Sequence, residues 1–564
     1  MVTTPLLEIK NLSLSFLNEG EYHSVTKDVS INIKRGEVLG LVGESGSGKS
    51  VTAMSILKLL PENSVRYDAG SILFYKEEDS PIDLLQLNTN KIRQYRGKSI
   101  AMIFQEPMTS LNPVFTCGNQ ITESIRLHLK LNKNQAKQRA LELFSEVLLP
   151  EPEKIFSKYP HELSGGQRQR LMIAMALAGN PSLLIADEPT TALDVTVQKS
   201  IVQLLKNLQT KYSMSILFIS HDLELVSEIA DRVAVMYQGQ IVEENTTHNI
   251  FANPQQAYTK GLIACRPSRN LNALRLPTIA DFISPENKKE PSIIKPIKTS
   301  DEIVLSIKNI TTRFPIAYSI FGNISSYFTA VNDVSIDVYK GETLGIVGES
   351  GCGKTTLGRT IMQLIKQSSG NITYKGKQIS TLGKTELKEF RKNLQIVFQD
   401  PYSSLNPRIT IGSAIIEPMK VHALEGNNKQ YREKALYLLE KTGLSETYFN
   451  RYPHELSGGQ RQRVCIARAL ALEPELLICD ESVAALDVSV QAQVLNLLND
   501  LKNEFNLTYL FITHDLNVVR FMAERILVMN KGKIEELNTA EKIFLEPKSD
   551  YTKHLIQSLP GQNT

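Results

Sequence analysis

A string of twelve residues, YPHELSGGQRQR, stands at 159–170 and again, unchanged, at 452–463. A string that specific, kept twice in one chain, means two copies of one supersecondary unit, and this constrains the fold more than any other feature. Further motifs recur in the same order. GESGSGKS at 43–50 matches GESGCGKT at 348–355, and IFQEPMTSLNP at 103–113 matches VFQDPYSSLNP at 397–407. LLIADEPTTALDV at 183–195 matches LLICDESVAALDV at 476–488, and FISHDL at 218–223 matches FITHDL at 511–516. The offset is 354 − 49 = 305 residues at the first motif, 399 − 105 = 294 at the second and 293 thereafter. The first half therefore carries about eleven extra residues between those motifs, around EEDSPIDLLQLN, which reads as a loop elaboration.

Two copies need two cores, and 564 residues are too many for one. An apolar content of 42% with 22% charged residues belongs to a folded chain, not a disordered one. The 63 basic and 60 acidic side chains leave +3, too balanced to signal nucleic-acid binding. The start, MVTTPLLEIKNLSLSF, lacks a basic head followed by a long apolar run, so no signal peptide is expected. No run of 18 apolar residues occurs, so no membrane-spanning helix is expected and a role at a membrane requires partner proteins. Cys117, Cys265, Cys352, Cys465 and Cys479 are an odd set without a CxxC pair. They fit a reducing compartment and packed thiols, and argue against a disulfide framework or a zinc site.

Between the copies, residues 266–300 are rich in Pro, Lys, Ser and Asn and lack periodicity, which reads as an exposed linker at least from Pro285 to Ser300. The expected domains are 1–265 and 304–564, with 266–303 as linker and extension of the first. Each half alternates short apolar runs (EVLGLVG, SLLIADE, SILFIS) with helical patterns such as KSVTAMSILKLL. That pattern predicts the α/β class twice over, a mainly parallel sheet covered on both faces.

GESGSGKS is G-x4-G-K-[ST] between an expected strand and an expected helix, the context a phosphate-binding loop requires. Gly43, Glu44, Ser45, Gly46, Ser47 and Gly48 would offer backbone N–H groups to phosphate oxygens, Lys49 a point charge and Ser50 a hydroxyl for Mg²⁺. Gly348, Glu349, Ser350, Gly351, Cys352, Gly353, Lys354 and Thr355 repeat the set. Asp187 with Glu188, and Asp480 with Glu481, end apolar strands, where ligands bind in such sheets. The aspartates would orient the Mg²⁺ shell, and the glutamates would take the proton of the attacking water. Gln105 and Gln399 can touch metal or water, and His221 and His514 can donate to the γ-phosphate; the other seven histidines read as structural. Ser164 can cap a helix running through RQRLMIAMAL, while Gly165, Gly166 and Gln167 let backbone N–H groups approach an anion; Ser457, Gly458, Gly459 and Gln460 do the same.

The duplicated LSGGQ string with both phosphate loops resembles the ATP-binding-cassette ATPases over nearly the whole chain. The resemblance implies two tandem P-loop domains, each a mainly parallel sheet with a helical signature subdomain and an antiparallel β part, binding ATP and Mg²⁺. In that family two cassettes meet head to tail, so Gly43–Ser50 would face Ser457–Gln460 and Gly348–Thr355 would face Ser164–Gln167, both sites within one chain. Phe16 and Phe314 match the aromatic that stacks on adenine, and a core role remains the other reading of each. The segments QAYTKGLIACRP and SDYTKHLIQSLP, with FQEPMTSLNP and FQDPYSSLNP, look like importers of the peptide/nickel class. That class implies two integral-membrane permeases, an extracytoplasmic solute-binding protein and a position on the cytoplasmic face of the membrane. Ser482 replaces the usual proline after Glu481 and is expected to loosen that turn. Cys265 stands alone where some relatives gather cysteines, so no iron–sulfur cluster is expected. Cys352 has two readings: a thiolate favoured at a helix N-terminus, so that thiol reagents inactivate the second site, or a small shielded side chain. The rival class, a tandem ATPase acting on ribosomes or nucleic acid, would need long charged interdomain helices, coiled-coil insertions or CxxC modules, and none is present.

Overall fold

In the first half β1 (Pro5–Asn18) and β2 (Glu21–Lys34) pair antiparallel, with Ile9 opposite Ile31 and alternate apolar residues turned inward. The computed structural model describes residues 5–18, 20–76, 80–105, 110–190, 193–267, 275–284, 300–318, 324–484 and 486–559. β3 (Val38–Val42) is buried at every position, as a central parallel strand must be. β4 (Val65–Phe74) and β5 (Ile82–Asp83) join the first pair in the order β2-β1-β4-β5. β6 (Ile100–Ile103), β7 (Leu183–Asp187), β8 (Ser215–Ser220), β9 (Arg232–Tyr237) and β10 (Gln240–Thr246) complete a six-stranded sheet ordered β10-β9-β3-β8-β7-β6. All its pairings are parallel except β9 with β10. Leu7, Ile9 and Ile31 of one sheet meet Leu39, Ile185 and Ile219 of the other in a single core, with Ala53 and Ile56 of the helix Lys49–Ile56 among them.

A helical part is inserted between β6 and β7: Cys117–Leu129, Lys133–Glu146 and Gly165–Leu177. Its starts are legible in the chain. Thr116 accepts from the Asn119 N–H, and Asn132 and Gln135 form a capping box.

The second half repeats this with β11 (Ile303–Tyr318), β12 (Ile324–Tyr339), β13 (Thr343–Val347), β14 (Ser369–Tyr374), β15 (Lys377–Gln378), β16 (Leu394–Val397), β17 (Leu476–Asp480), β18 (Thr508–Ile512), β19 (Arg525–Asn530) and β20 (Lys533–Thr539). The sheets run β12-β11-β14-β15 and β16-β17-β18-β13-β19-β20, the same topology. The α/β class holds for both halves.

The extra residues of the first half are not all where the sequence reading put them. Phe74 and Tyr374 hold equivalent registers opposite Leu7 and Leu305, an offset of 374 − 74 = 300. Five of the extra residues therefore fall before Phe74, because 305 − 300 = 5, most of them in the longer start of β4, and the rest follow that strand.

The chain divides into two compact units, one made chiefly of residues up to Ile263 and the other running from Ala264. Residues 275–284 belong to the second unit and pack on its helix Val488–Phe505. The Asn496 side chain, buried, accepts from the Leu276 N–H at 2.9 Å and donates to the Leu276 carbonyl at 2.8 Å. Arg275 reaches both Asp500 carboxylate oxygens at 3.0 and 2.9 Å. The expected exposed linker, Pro285 to Ser300, lies outside the described residues except for Ser300.

Candidate active site

Each phosphate loop leaves the end of a buried strand and turns into a helix whose N-cap glycine is left-handed, Gly48 at φ 105° and Gly353 at φ 108°. Only glycine accepts that turn cheaply, and the space is closed besides: a Cβ on Gly353 would stand 2.2 Å from the Ala330 carbonyl oxygen. Lys49 is buried and donates to the carbonyls of Gly43 and Glu44 at 2.7 and 2.8 Å. Lys354 donates to Gly348 and Glu349 at 2.8 Å each. An ammonium held by two carbonyls is poised to exchange them for phosphate oxygens, which are stronger acceptors.

Across the loop, the Ser50 hydroxyl donates to Asp187 Oδ1 at 3.0 Å, and Thr355 to Asp480 Oδ1 at 2.9 Å. These residues lie 137 and 125 positions apart in the chain and meet because β7 and β17 emerge beside the loops. Burial pushes the Asp187 carboxyl up to about 6; the Ser50 hydroxyl opposes this, and the nearby Glu188 charge adds to it. Asp480 is raised for the same reason, burial first. Its Oδ2 is buried and has no hydrogen-bond partner among the described residues. A desolvated acceptor beside a hydroxyl suits a hard divalent cation, so the donor set fits Mg²⁺.

One residue further on, Glu188 and Glu481 sit at φ 47° and 48°, a left-handed conformation that costs a non-glycine residue about 1–3 kcal/mol and is retained in both copies. Gln105 Nε2 donates to Glu188 at 3.0 Å, and Gln399 Nε2 to Glu481 at 2.6 Å. His221 Nδ1 stands 3.3 Å from Glu188, and His514 Nδ1 3.5 Å from Glu481. The sequence reading sent these histidines to the γ-phosphate; the structure adds that each orients the glutamate through its other ring nitrogen. Burial pushes Glu481 up, but the hydrogen bond and charge of His514, the Lys354 ammonium and the Gln399 amide outweigh it and hold the carboxyl below its ordinary value. It is therefore ionised at neutral pH, as a proton acceptor must be. Glu481 keeps the φ of its counterpart although Ser482 stands where the first copy has proline.

The signature strings begin their helices as predicted. Ser164 accepts from the Gln167 N–H at 3.3 Å while Gln167 Oε1 accepts from the Ser164 N–H at 3.1 Å, and Ser457 with Gln460 repeats this at 3.3 and 3.0 Å. The glycines also carry a packing constraint. A Cβ on Gly458 would meet nothing within 4 Å, whereas one on Gly459 would stand 2.3 Å from Val490 and one on Gly166 2.9 Å from Val197. The second glycine thus makes room for a valine within its own cassette.

Phe16 is half-buried on β1 opposite His23, and Phe314 is 37% exposed on β11 opposite Phe328. All five cysteines are buried. Cys352 lies under its loop, its sulfur 3.8 Å from Lys354 Nζ, and burial pushes the thiol up despite that charge. Of the two readings of Cys352, burial favours the shielded side chain, since desolvation outweighs the helix terminus and the lysine.

The sequence reading missed Tyr258 and Tyr551. Their hydroxyls accept the backbone N–H of Glu44 at 3.1 Å and of Glu349 at 3.2 Å, inside the phosphate loops. The signal was present in the repeated YTKGLI and YTKHLI, 551 − 258 = 293 residues apart, the same offset as the signatures.

A phosphate loop, a strand-end aspartate and a glutamate oriented by glutamine and histidine, all present twice, define a tandem P-loop ATPase. The chain belongs to the ABC transporter family, whose family match covers residues 26–191 and 331–484. A second family, the C-terminal region of oligopeptide/dipeptide transporters, matches residues 242–289. Among relatives, the glutathione import ATP-binding protein GsiA of Escherichia coli K12 is 46% identical over 558 residues, covering 98% of this chain and 89% of that protein. Its namesake in Salmonella choleraesuis is 45% identical over 560 residues, with coverage of 98% and 89%. Among solved structures, a dimeric post-hydrolysis state of the ATP-binding cassette MJ0796 bound to ADP and phosphate is 31% identical, covering 42% of this chain and 98% of that one at a TM-score of 0.38. The chain is an ATP-binding subunit with two cassettes, and the ribosome or nucleic-acid reading is not favoured.

Proposed function

We propose that this chain hydrolyses ATP to drive import of peptides or peptide-like solutes. It would work at the cytoplasmic face of the membrane with two integral permeases and an extracytoplasmic solute-binding protein. The observation that carries this is the pairing of two full hydrolytic sets with a C-terminal region like that of oligopeptide/dipeptide transporters. Among the described residues no helix is long and apolar enough to cross a membrane, so the passage itself belongs to partners. The named relatives are glutathione import proteins, which makes glutathione the first cargo to test.

In this reading Lys49 and Lys354 leave their carbonyl partners for phosphate oxygens, and the loop N–H groups hold the rest of the chain of phosphates. Ser50, Asp187 and Gln105, and Thr355, Asp480 and Gln399, would hold Mg²⁺, which neutralises charge on the phosphates when bound. Glu188 and Glu481 accept the proton of the attacking water as the bond to the leaving phosphate breaks, steadied by His221 and His514. Ser164–Gln167 would close over the second loop and Ser457–Gln460 over the first, so that ATP draws the cassettes together and hydrolysis releases them. Phe16 and Phe314 would stack on adenine; the exposure of Phe314 favours this over a core role.

Reconstitution with the candidate permeases in liposomes, with labelled glutathione and dipeptides outside and ATP inside, tests the proposal. ATP-dependent uptake of a peptide-like solute is the expected result. Uptake of none, together with recovery of the chain in a ribosome fraction, would move the assignment to the rival class.

A further inference from the structure

The C-terminal segment of each cassette is tied to the phosphate loop by one side chain, and the tie is built in the same way twice. Glu243 on β10 accepts the backbone N–H of Gln255 at 2.8 Å and of Gln256 at 3.0 Å, which pins the approach to the helix Ala257–Ala264. Glu536 on β20 accepts from Lys548 at 3.1 Å and Ser549 at 3.2 Å, before the helix Asp550–Gln557. Each of these residues is displaced by 293 from its counterpart, as 536 − 243, 548 − 255 and 549 − 256 show. The anchors deliver Tyr258 and Tyr551 to the loops. Tyr258 is buried against Tyr237, ring centroids 4.2 Å apart, whereas the residue equivalent to Tyr237 in the second copy is Asn530.

The peptide group between Gly43 and Glu44 is held from both sides. Its carbonyl accepts from Lys49 at 2.7 Å, and its N–H is accepted by the Tyr258 hydroxyl at 3.1 Å. In the second cassette Lys354 holds the Gly348 carbonyl at 2.8 Å, and Tyr551 accepts the Glu349 N–H at 3.2 Å. Hydrogen bonds on opposite ends of one peptide polarise it and strengthen each other. When the lysine turns to a phosphate the carbonyl loses its partner, and the tyrosine is then what keeps this peptide from rotating.

We infer that Tyr258 and Tyr551 are positioning residues for nucleotide binding, through which the C-terminal segment of each cassette sets the affinity of its own phosphate loop. The inference rests on these loops being the ATP sites. It makes the segment more than a cap on the fold: whatever moves that helix changes how well ATP binds.

The test uses the full chain carrying Tyr258→Phe, Tyr551→Phe or both, which keep the rings and remove the hydroxyl. Tyr431→Phe is the control, since its hydroxyl donates to the Leu424 carbonyl in the helical part. Titration calorimetry with Mg-ATP should show about three- to tenfold weaker binding at one site in each single variant and at both in the double, the loss of one hydrogen bond. KM should rise by the same factor while kcat stays within about twofold, because the glutamates and histidines are untouched. Amide hydrogen exchange at Glu44 and Glu349 should quicken in the matching variant, without nucleotide. Unchanged or tighter affinity in the variants, or an equal rise in KM in the control, would overturn the inference. If the unmodified chain bound no Mg-ATP, the assignment of the loops would fail and this inference with it.

Discussion

Asp187 is held in a place that suits a cation and penalises the protein without one. A carboxyl raised to about 6 from an ordinary 3.8 carries a penalty of (6 − 3.8) × 1.36, about 3 kcal/mol, on its charged form at neutral pH. Asp187→Asn removes that charge, keeps an oxygen for the Ser50 hydroxyl and adds an amide that must find an acceptor, so about 2 kcal/mol of the penalty should be recovered. The nucleotide-free chain in EDTA should therefore melt about 4–8 °C higher in its first cassette at pH 7.5 by scanning calorimetry. The dependence on pH has a definite sign. Folded Asp187 binds its proton more tightly than the unfolded carboxyl, so its penalty is full above about pH 6 and fades as the pH falls toward 3.8. The advantage of the variant should be about a third as large at pH 5 and gone at pH 4. Turnover should move the other way, falling about a hundredfold or more as a ligand for the cation is lost. A variant that melts lower at pH 7.5, or whose gain does not shrink in acid, would refute the claim that burial of this carboxylate is a cost borne for function.

Further outcomes follow from the same geometry. Glu188→Gln and Glu481→Gln should each cut turnover at their own site by about a hundredfold or more while ATP still binds, measured by phosphate release and by nucleotide titration; full activity in either would exclude that glutamate as the base. N-ethylmaleimide should leave activity unchanged in the folded chain, and Cys352→Ser should behave like the parent, because the thiol is buried and its pKa raised. Inactivation that ATP prevents and Cys352→Ser abolishes would contradict this. Asn496→Ala leaves the buried Leu276 N–H and carbonyl unpaired, so it should lower stability by about 1–3 kcal/mol and speed hydrogen exchange at Leu276; unchanged exchange there would mean that the segment is not docked.

The parts of the site written as local strings were legible in the sequence. The phosphate loops, the capping boxes of Ser164 and Ser457, and the strand-end acidic pairs each depend on residues within one turn or one strand, where spacing determines geometry. Contacts made across the fold were not. The Tyr258 hydroxyl reaches Glu44 from 214 residues away, and His221 finds Glu188 because neighbouring parallel strands end at the same level. Cys352 kept two readings because the terminus of a helix can be read from a string, while burial of the sulfur cannot.

From the residues alone came the duplication, the α/β class and the identity of the groups that handle phosphate, since periodicity and short-range spacing are properties of the chain itself. Only the tertiary structure decided which side chains those groups lean on, how far each carboxyl and thiol is displaced from its ordinary pKa, and that the second signature glycine makes room for a valine. These depend on desolvation and on contacts between segments far apart in the chain, and neither exists until the sheets and helices have packed.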